Sequence, residues 1–306
     1  MTVREIQDEI VRLKREKNIC VLAHTYQGQE ILEVADYNGD SYKLSVHAAE
    51  DTKPTAIMCG VRFMAETVKL LAPEKTVFLA NPTAGCPMAD GLSGERLKNA
   101  IAKYPNAKVV CYINTTAEVK TLSDVCVTSS SAVKIIRAMP EREILFVPDC
   151  NLGAYVADQL PEKEVHLISG GCPIHAAVTG AETAEMRAAH PNALLLVHPE
   201  CVPDVVAQAD YVGSTSGIYD YAVQSDRDEF IIGTEISIVE HLQYACPQKK
   251  FYALSRKLVC QNMKSTTLVD LYNCLLGVGG DEITLEPELI TSARRCIDEM
   301  IRLGGK

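Results

Sequence analysis

Short apolar runs alternate with helix-length stretches along most of the chain. The runs are bounded by turn residues and read ICVLA from Ile19, TAIMC from Thr55, TVFLA from Thr76, EILFV from Glu143, EVHLI from Glu164, EFIIG from Glu229 and KFYAL from Lys250. Amphipathic stretches such as GERLKNAIAKY lie between them. Strands that alternate with helices in this way indicate parallel sheets flanked by helices. We therefore predict an α/β fold.

Three segments of the chain share one outline. They read ICVLAHTYQGQEILEVADYNGDS from Ile19, VVCYINTTAEVKTLSDVCVTSSS from Val109 and LLLVHPECVPDVVAQADYVGSTS from Leu194. Each reads as a strand, a polar turn, a helix, an aspartate, a turn and a Ser/Thr cluster, and such recurrence indicates repeated structural units. The aspartates Asp36, Asp124 and Asp210, called the anchor aspartates below, align the three repeats without a gap.

Polar side chains recur at equivalent places in the three repeats. Twelve residues before the anchors stand His24, Tyr112 and His198. Ten residues before them stand Tyr26, Asn114 and Glu200. Five residues after them stand Ser41, Ser129 and Thr215. Functional residues of open α/β sheets gather outside the carboxyl ends of the strands. We expect these groups to share one face.

One cysteine ends each repeat. The sequences AGCPMAD, GGCPIHA and LVCQNMK place Cys86, Cys172 and Cys260 at 50, 48 and 50 residues after their anchors. A single cysteine of this kind is more often a packing residue, but three at one repeat position, each in a polar or Gly-flanked turn, favour metal ligands.

The repeat also predicts the domain organisation. We expect three homologous αβα domains with short parallel sheets, arranged around a pseudo-threefold axis with the active site at the centre. The predicted boundaries are 1–84, 85–170 and 171–258, and residues 259–306 are expected to form a C-terminal cluster loop and helices that pack back on the first domain.

Composition and charge exclude several classes of protein. The chain has 306 residues, is 47% hydrophobic and carries a net charge of −10, which argues against a nucleic-acid partner because phosphate binding needs clustered Lys and Arg. The N-terminus has no signal-peptide pattern, and no apolar run reaches membrane-spanning length. We therefore expect a cytoplasmic protein in which the twelve cysteines stay reduced. Cys20, Cys111 and Cys126 lie in strand-like runs and are predicted to be buried.

Three thiolates from distant segments restrict the kind of metal site. Structural zinc is usually held by pairs of cysteines a few residues apart, and no Cys-x-x-Cys occurs here. A [4Fe-4S] cluster with three cysteine ligands fits better, because its fourth iron stays open to substrate as a Lewis acid. Catalytic zinc completed by His24, His175 or His198 is the alternative.

The motifs HTYQ, ADYNGDS, CGVRFMAE, AGCPMAD, YINTTAEVK, GGCPIH, HPEC, GSTSG and CQNMK resemble the quinolinate synthase family in order and spacing. The resemblance covers nearly the whole chain. It implies a [4Fe-4S] cluster on one cysteine from each domain, and condensation of iminosuccinate with dihydroxyacetone phosphate to quinolinate, an NAD precursor, with loss of phosphate and two waters. It also implies ligand contacts at Ser41, Ser129, Ser214 and Thr215.

The residues of the repeat suggest individual roles. Helix starts near Ser41, Ser129 and Thr215 could bind phosphate or carboxylate, although helix capping alone is an equally common role. His24 and Tyr26 form a candidate acid/base pair. Glu200 is the strongest candidate base, with a pKa that burial is expected to raise toward working pH.

The remaining site residues are expected to bind substrate. His198 could orient it, and Tyr112 and Asn114 could hydrogen-bond its carboxylate or the developing ring nitrogen, while the role of His175 stays open. The expected partners are the two small-molecule substrates and an enzyme that supplies iminosuccinate. A non-catalytic iron-sulfur sensor or cluster carrier is the competing hypothesis, but it leaves the recurring titratable pairs unexplained.

Overall fold

Thirteen strands form three separate sheets in the part of the chain that the computed structural model describes, residues 1–304. The strands are β1 Ile19–His24, β2 Tyr37–Gly39, β3 Thr55–Cys59, β4 Thr76–Leu79, β5 Lys108–Tyr112, β6 Val125–Val127, β7 Glu143–Val147, β8 Glu164–Leu167, β9 Leu194–Val197, β10 Tyr211–Val212, β11 Glu229–Gly233, β12 Lys250–Ala253 and β13 Asp281–Glu282. Every strand read from the apolar runs is present.

Helices separate the strands throughout. They are α1 Val3–Glu16, α2 Gln29–Leu32, α3 Ser41–Glu50, α4 Arg62–Leu71, α5 Pro87–Asp90, α6 Gly94–Lys103, α7 Ala117–Thr121, α8 Ala132–Ala138, α9 Cys150–Gln159, α10 Pro173–Ala176, α11 Gly180–Ala189, α12 Pro203–Val206, α13 Thr215–Gln224, α14 Ser237–Ala245, α15 Gln261–Lys264, α16 Leu268–Leu276 and α17 Pro287–Gly304. None of the described helices is long and apolar enough to cross a membrane.

The three sheets repeat one strand order. They run β2-β1-β3-β4, β6-β5-β7-β8 and β10-β9-β11-β12, with all of these neighbours parallel. The first sheet carries one extra strand, because β13 pairs antiparallel with β4. The prediction of an α/β fold with repeated short parallel sheets is therefore confirmed.

The anchor aspartates make the same hydrogen bonds in every repeat. The side chain of each aspartate accepts, at 2.8–2.9 Å, the backbone N–H of the residue fifteen positions earlier. The backbone N–H of the aspartate donates to the carbonyl of that same residue. The pairs are Asp36 with Val21, Asp124 with Val109 and Asp210 with Leu195. The predicted turn after each anchor instead begins with a short strand, β2, β6 or β10. These strands of two or three residues are too short to show an alternating pattern in the sequence.

The chain divides into two compact units. Unit 1 contains Met1–Asp90, Ile113–Thr121 and Gln261–Arg295; unit 2 contains Gly91–Tyr112, Leu122–Cys260 and the described chain from Cys296 onward. The first sheet belongs to unit 1, where α1 and α16 pack against it through Ile10, Leu271 and their neighbours. The other two sheets belong to unit 2. The predicted four-part division stays a prediction, and its last two residues, 305 and 306, lie outside the described chain.

Candidate active site

Each of the three predicted ligand cysteines immediately precedes a helix of four residues. Cys86 precedes α5, Cys172 precedes α10 and Cys260 precedes α15. All three cysteines are partly exposed, whereas eight of the other nine are buried. The three thiols therefore stand at equivalent, accessible positions within their repeats.

The same backbone hydrogen bond holds each of the three cysteine loops. In every repeat the carbonyl two residues before the cysteine accepts an N–H from a residue shortly after the third strand of that repeat, β3, β7 or β11. The bonds are Arg62 N to Ala84 O at 2.9 Å, Cys150 N to Gly170 O at 2.9 Å and Ile236 N to Leu258 O at 2.8 Å. The donors stand 26 residues after their anchors in all three cases. The loops are thus equivalent in structure as well as in sequence.

A buried polar cluster surrounds Cys172 in unit 2. The Nδ1 atom of His175 lies 3.2 Å from the Cys172 sulfur and 2.8 Å from a carboxylate oxygen of Glu200, and its Nε2 lies 3.0 Å from the Thr234 hydroxyl. The side chain of Glu200 is also hydrogen-bonded to Tyr112. His175 and Glu200 are 3% and 4% exposed, so neither is accessible to bulk water.

Glu200 is ionised in this cluster. Burial alone raises the pKa of a carboxyl group, but the imidazoles of His198 and His175 and the Tyr112 hydroxyl together lower the pKa of Glu200 to about 2. The sequence-based expectation of a raised pKa was therefore wrong in direction, because it considered burial without the hydrogen-bond donors. Burial and the nearby Glu200 charge instead raise the pKa of Asp149 to about 7.

Hydrogen bonds orient the two imidazoles in this cluster. An ionised carboxylate only accepts, so His175 Nδ1 donates to Glu200, and its Nε2 is hydrogen-bonded to the Thr234 hydroxyl. His198 accepts the backbone N–H of Glu200 at Nδ1, at 3.2 Å, and burial lowers its pKa to about 4. A neutral His198 therefore carries its proton on Nε2.

Unit 1 repeats this local arrangement at the end of β1. The Nδ1 atom of His24 accepts the backbone N–H of Tyr26 at 3.1 Å, as that of His198 does for Glu200. The rings of His24 and Tyr26 lie edge to face, with their centroids 4.5 Å apart. The predicted His24–Tyr26 pair is thus brought together, and His24 is 6% exposed. Asn114 also lies in unit 1, after β5, and is partly buried.

The predicted anion-binding residues lie at helix starts. Ser214 is the N-cap of α13, where its hydroxyl accepts the Gly217 N–H at 3.2 Å, and Thr215 is the first residue of that helix. Ser41 is the first residue of α3, which is capped by Asp40. Ser129 lies between β6 and α8 and is partly buried. Helix capping is therefore assigned to Ser214 and Asp40, and Ser41 and Thr215 are buried first residues of their helices.

Comparison with known proteins supplies the family. The chain matches the family described as Quinolinate synthetase A protein over residues 8–302. The quinolinate synthase of Alkaliphilus metalliredigens is 48% identical over 296 residues, which cover 97% of both chains. Those of Caldicellulosiruptor saccharolyticus and Methanoregula boonei are 46% and 47% identical over 304 and 298 residues, covering at least 97% of each chain. The chain belongs to the quinolinate synthetase A family. It is therefore an enzyme.

This member of the quinolinate synthetase A family contains two groups of side chains that could hold a metal ion among its described residues. One is Cys172 with His175 and Glu200; the other is Cys111, Cys126 and Cys296, whose sulfurs all lie within 4.8 Å of one another. The second group is fully buried, as the strand-like sequence around Cys111 and Cys126 predicted. Contact with Cys111 and Cys126 holds the pKa of Cys296 far above its ordinary value, which favours a protonated Cys296 thiol inside the core.

Sequence reasoning missed several buried polar residues of unit 2. It left the role of His175 open, and it did not single out Thr234, Asp149 or Glu235. Asp149 and Glu235 each stand 25 residues after an anchor, so the repeat contained a signal for them. The first repeat has Val61 at that position, and this interruption hid the pattern.

Proposed function

We propose that this enzyme is a quinolinate synthase, which condenses iminosuccinate with dihydroxyacetone phosphate to quinolinate in NAD biosynthesis. The observation that carries the proposal is the buried hydrogen-bonded group of Cys172, His175 and Glu200, which joins a predicted cluster ligand to the predicted base. We place the reaction in the cytoplasm and expect an iminosuccinate-producing enzyme to supply the substrate.

The three cysteines fit a [4Fe-4S] cluster by their chemistry and by the equivalence of their loops. Cys86, Cys172 and Cys260 would hold it, each from the start of a short helix that a backbone hydrogen bond fixes. A cluster with three cysteine ligands supplies an open iron, a Lewis acid that helps a hydroxyl leave as water. The fully buried group around Cys296 fits less well, since substrate has no access to it.

Glu200 is the proposed general base. An ionised carboxylate accepts a proton, and Tyr112 and His175 hold it in one orientation. The donors also stabilise the negative charge and so weaken Glu200 as a base. A proton that it takes from substrate in the tautomerisation and dehydration steps is therefore passed on at once rather than retained.

His198 and His24 are proposed substrate-orienting donors, and His24 with Tyr26 forms a second acid/base pair. Each imidazole accepts a backbone N–H at Nδ1, which leaves the proton of the neutral ring on Nε2. Such a proton can be donated to a substrate carbonyl or carboxylate. Tyr112 and Asn114 complete the proposed set of polar contacts.

The phosphate and the two carboxylates of the substrates need anion-binding groups. We assign these to Ser41, Ser129, Ser214 and Thr215. The helices α3 and α13 begin at two of these positions, where backbone N–H groups and the positive end of the helix dipole attract anions without a net cation. This arrangement suits a chain of negative net charge.

The test is an assay on protein purified without oxygen. Iminosuccinate and dihydroxyacetone phosphate are supplied, quinolinate is measured by chromatography, and iron and sulfide are measured in the same sample. Quinolinate formation that follows cluster content is the expected result. Full activity in protein without iron would refute the cluster, and a loaded cluster without any quinolinate would favour a sensor or carrier.

A further inference from the structure

A carboxylate accepts the backbone N–H of each of the three proposed ligand cysteines. Asp90 Oδ2 accepts from Cys86 at 2.9 Å and Asp149 Oδ2 accepts from Cys172 at 2.9 Å. Glu235 Oε1 accepts from Cys260 at 3.3 Å. Each bond lies within one compact unit. Three cysteines thus share one kind of partner.

In the second and third repeats, the carboxylate joins two elements. Asp149 uses its other oxygen, Oδ1, to accept the N–H groups of Asn151 and Leu152 at 2.9 and 2.8 Å, at the start of α9. Glu235 uses Oε2 to accept the N–H of Ser237 at 2.9 Å, at the start of α14. Both acids are 0% exposed. A buried acid that is hydrogen-bonded at both oxygens fixes the cysteine loop relative to a helix.

The first repeat reaches the same contact by a different route. Val61 occupies the position that corresponds to Asp149 and Glu235, and it has no polar side chain. The acceptor is instead Asp90, an exposed residue. Asp90 follows its cysteine, Cys86, by four positions, whereas Asp149 and Glu235 precede theirs. Inheritance from a common repeat explains two of the bonds but not the third. The recurrence of the contact from an unrelated position indicates that the contact itself is required.

We propose that Asp90, Asp149 and Glu235 are positioning residues for the cluster, each orienting one ligand cysteine through its backbone N–H. The inference rests on the proposed function, because it assumes that these cysteines bind the [4Fe-4S] group. The bond orients the loop so that the sulfur is presented correctly, and the exposed Asp90 carboxylate adds negative charge near the Cys86 sulfur. Net charge and hydrogen bonding around a cluster set its reduction potential, and negative charge lowers it. A low potential keeps the cluster oxidised and suited to Lewis-acid chemistry.

Asp90 allows the bond and the charge to be tested separately, because it is exposed and its replacement does not leave a buried cavity. Asp90→Asn keeps an oxygen acceptor and removes the charge, whereas Asp90→Ala removes both. We expect Asp90→Ala to release iron to a chelator about 10-fold faster than the wild type, by analogy with other residues that support metal ligands. Asp90→Asn should hold iron nearly as long but show a higher reduction potential by electrochemical titration followed with electron paramagnetic resonance.

The buried acids provide a second measurement that needs no iron. In the iron-free protein, hydrogen exchange should show protected N–H groups at Cys172 and Cys260. Asp149→Val and Glu235→Met, which have no oxygen acceptor, should each lose protection at its own cysteine. Asp124→Asn is the matched control, because that carboxylate also accepts a backbone N–H, from Val109, but does not contact a ligand cysteine. It should lower thermal stability and leave the potential unchanged.

Two different results would overturn the inference, and they separate it from the proposed function. If the wild type binds the cluster and all four variants release iron at the wild-type rate with the wild-type potential, the positioning role is wrong while the proposed function stands. If the wild type takes up no iron under reconstitution with ferrous iron and sulfide, the proposed function fails, and the cluster role of the three acids fails with it.

Discussion

Replacing Glu200 by Gln should abolish most of the activity and leave the cluster in place. The substitution preserves the size of the side chain and one oxygen, but an amide does not take up a proton at neutral pH. Glu200 is 4% exposed, so water does not readily replace the missing base. The effect should therefore appear in catalysis.

The expected magnitude follows from the role and the contacts. Positioned general bases contribute about 100-fold to 10,000-fold to rate, and a 100-fold loss in kcat/KM corresponds to about 2.7 kcal/mol of transition-state stabilisation. If His175 and Tyr112 donate to different oxygens of the carboxylate, an amide leaves one of them facing its NH2 group. One unsatisfied contact costs about 1–3 kcal/mol of stability, so the variant should still fold.

The assay compares quinolinate formation and iron content in three proteins: wild type, Glu200→Gln and Glu229→Gln. Glu229 is a suitable control because it pairs with Lys250 at the surface, with 2.8 Å between the charged atoms. We expect a loss of at least about 100-fold for Glu200→Gln, full activity for Glu229→Gln and equal iron in all three. A Glu200→Gln enzyme within threefold of the wild type would refute the assignment of Glu200 as the base.

Three further predictions concern the ligands, Tyr112 and the anchor aspartates. Replacing Cys86, Cys172 or Cys260 by Ala should remove nearly all bound iron and sulfide, whereas Cys126→Ala should retain both. Loss of iron only from the Cys126 variant would show that the cluster is bound by the buried group of Cys111, Cys126 and Cys296 instead. Tyr112→Phe removes a hydrogen bond to Glu200 and should lower kcat/KM about 10-fold to 100-fold with unchanged iron, an effect absent if the hydroxyl only fills space. Asp36→Asn should lower thermal stability most at neutral pH. Burial raises the pKa of Asp36, but the hydrogen bonds from the Val21 N–H and from Lys14 outweigh the effect of burial and hold this pKa below 3.8. The stabilisation is therefore full above pH 3.8 and is lost as pH falls through the folded-state pKa, so a melting-temperature difference that stays constant from pH 7 to pH 3 would contradict it.

The repeat was the part of the fold most open to prediction. Nearly constant spacing from the anchor aspartates identified Cys86, Cys172 and Cys260. The same backbone hydrogen bond closes the loops that they occupy, which limits how much those loops can change in length. The strands were equally readable, since a buried parallel sheet demands continuous apolar runs. Short elements such as β10, with two residues, leave no such pattern.

Local spacing does not reveal the electrostatics of the site. His198, two residues away, contributes most to lowering the Glu200 pKa, but the hydrogen bonds that lower it further come from His175, 25 residues away in sequence, and from Tyr112, 88 residues away. Burial was correctly anticipated for Glu200, but burial and hydrogen bonding act on a carboxyl pKa in opposite directions. Only the contacts decide which of the two is larger.

The acids that hold the cysteine N–H groups show where repeat-based prediction fails for a functional reason. A repeat alignment assigns a role to a position, and it would have rejected the position of Asp149 and Glu235 because Val61 interrupts it. The structure assigns the role to a contact, which Asp90 supplies from elsewhere in the first repeat. In the proposed role the contact matters more than the position, because any carboxylate that reaches the cysteine N–H fixes the loop. Residues of this kind are therefore found by asking what each ligand's backbone is bonded to, rather than which residue stands at the equivalent position.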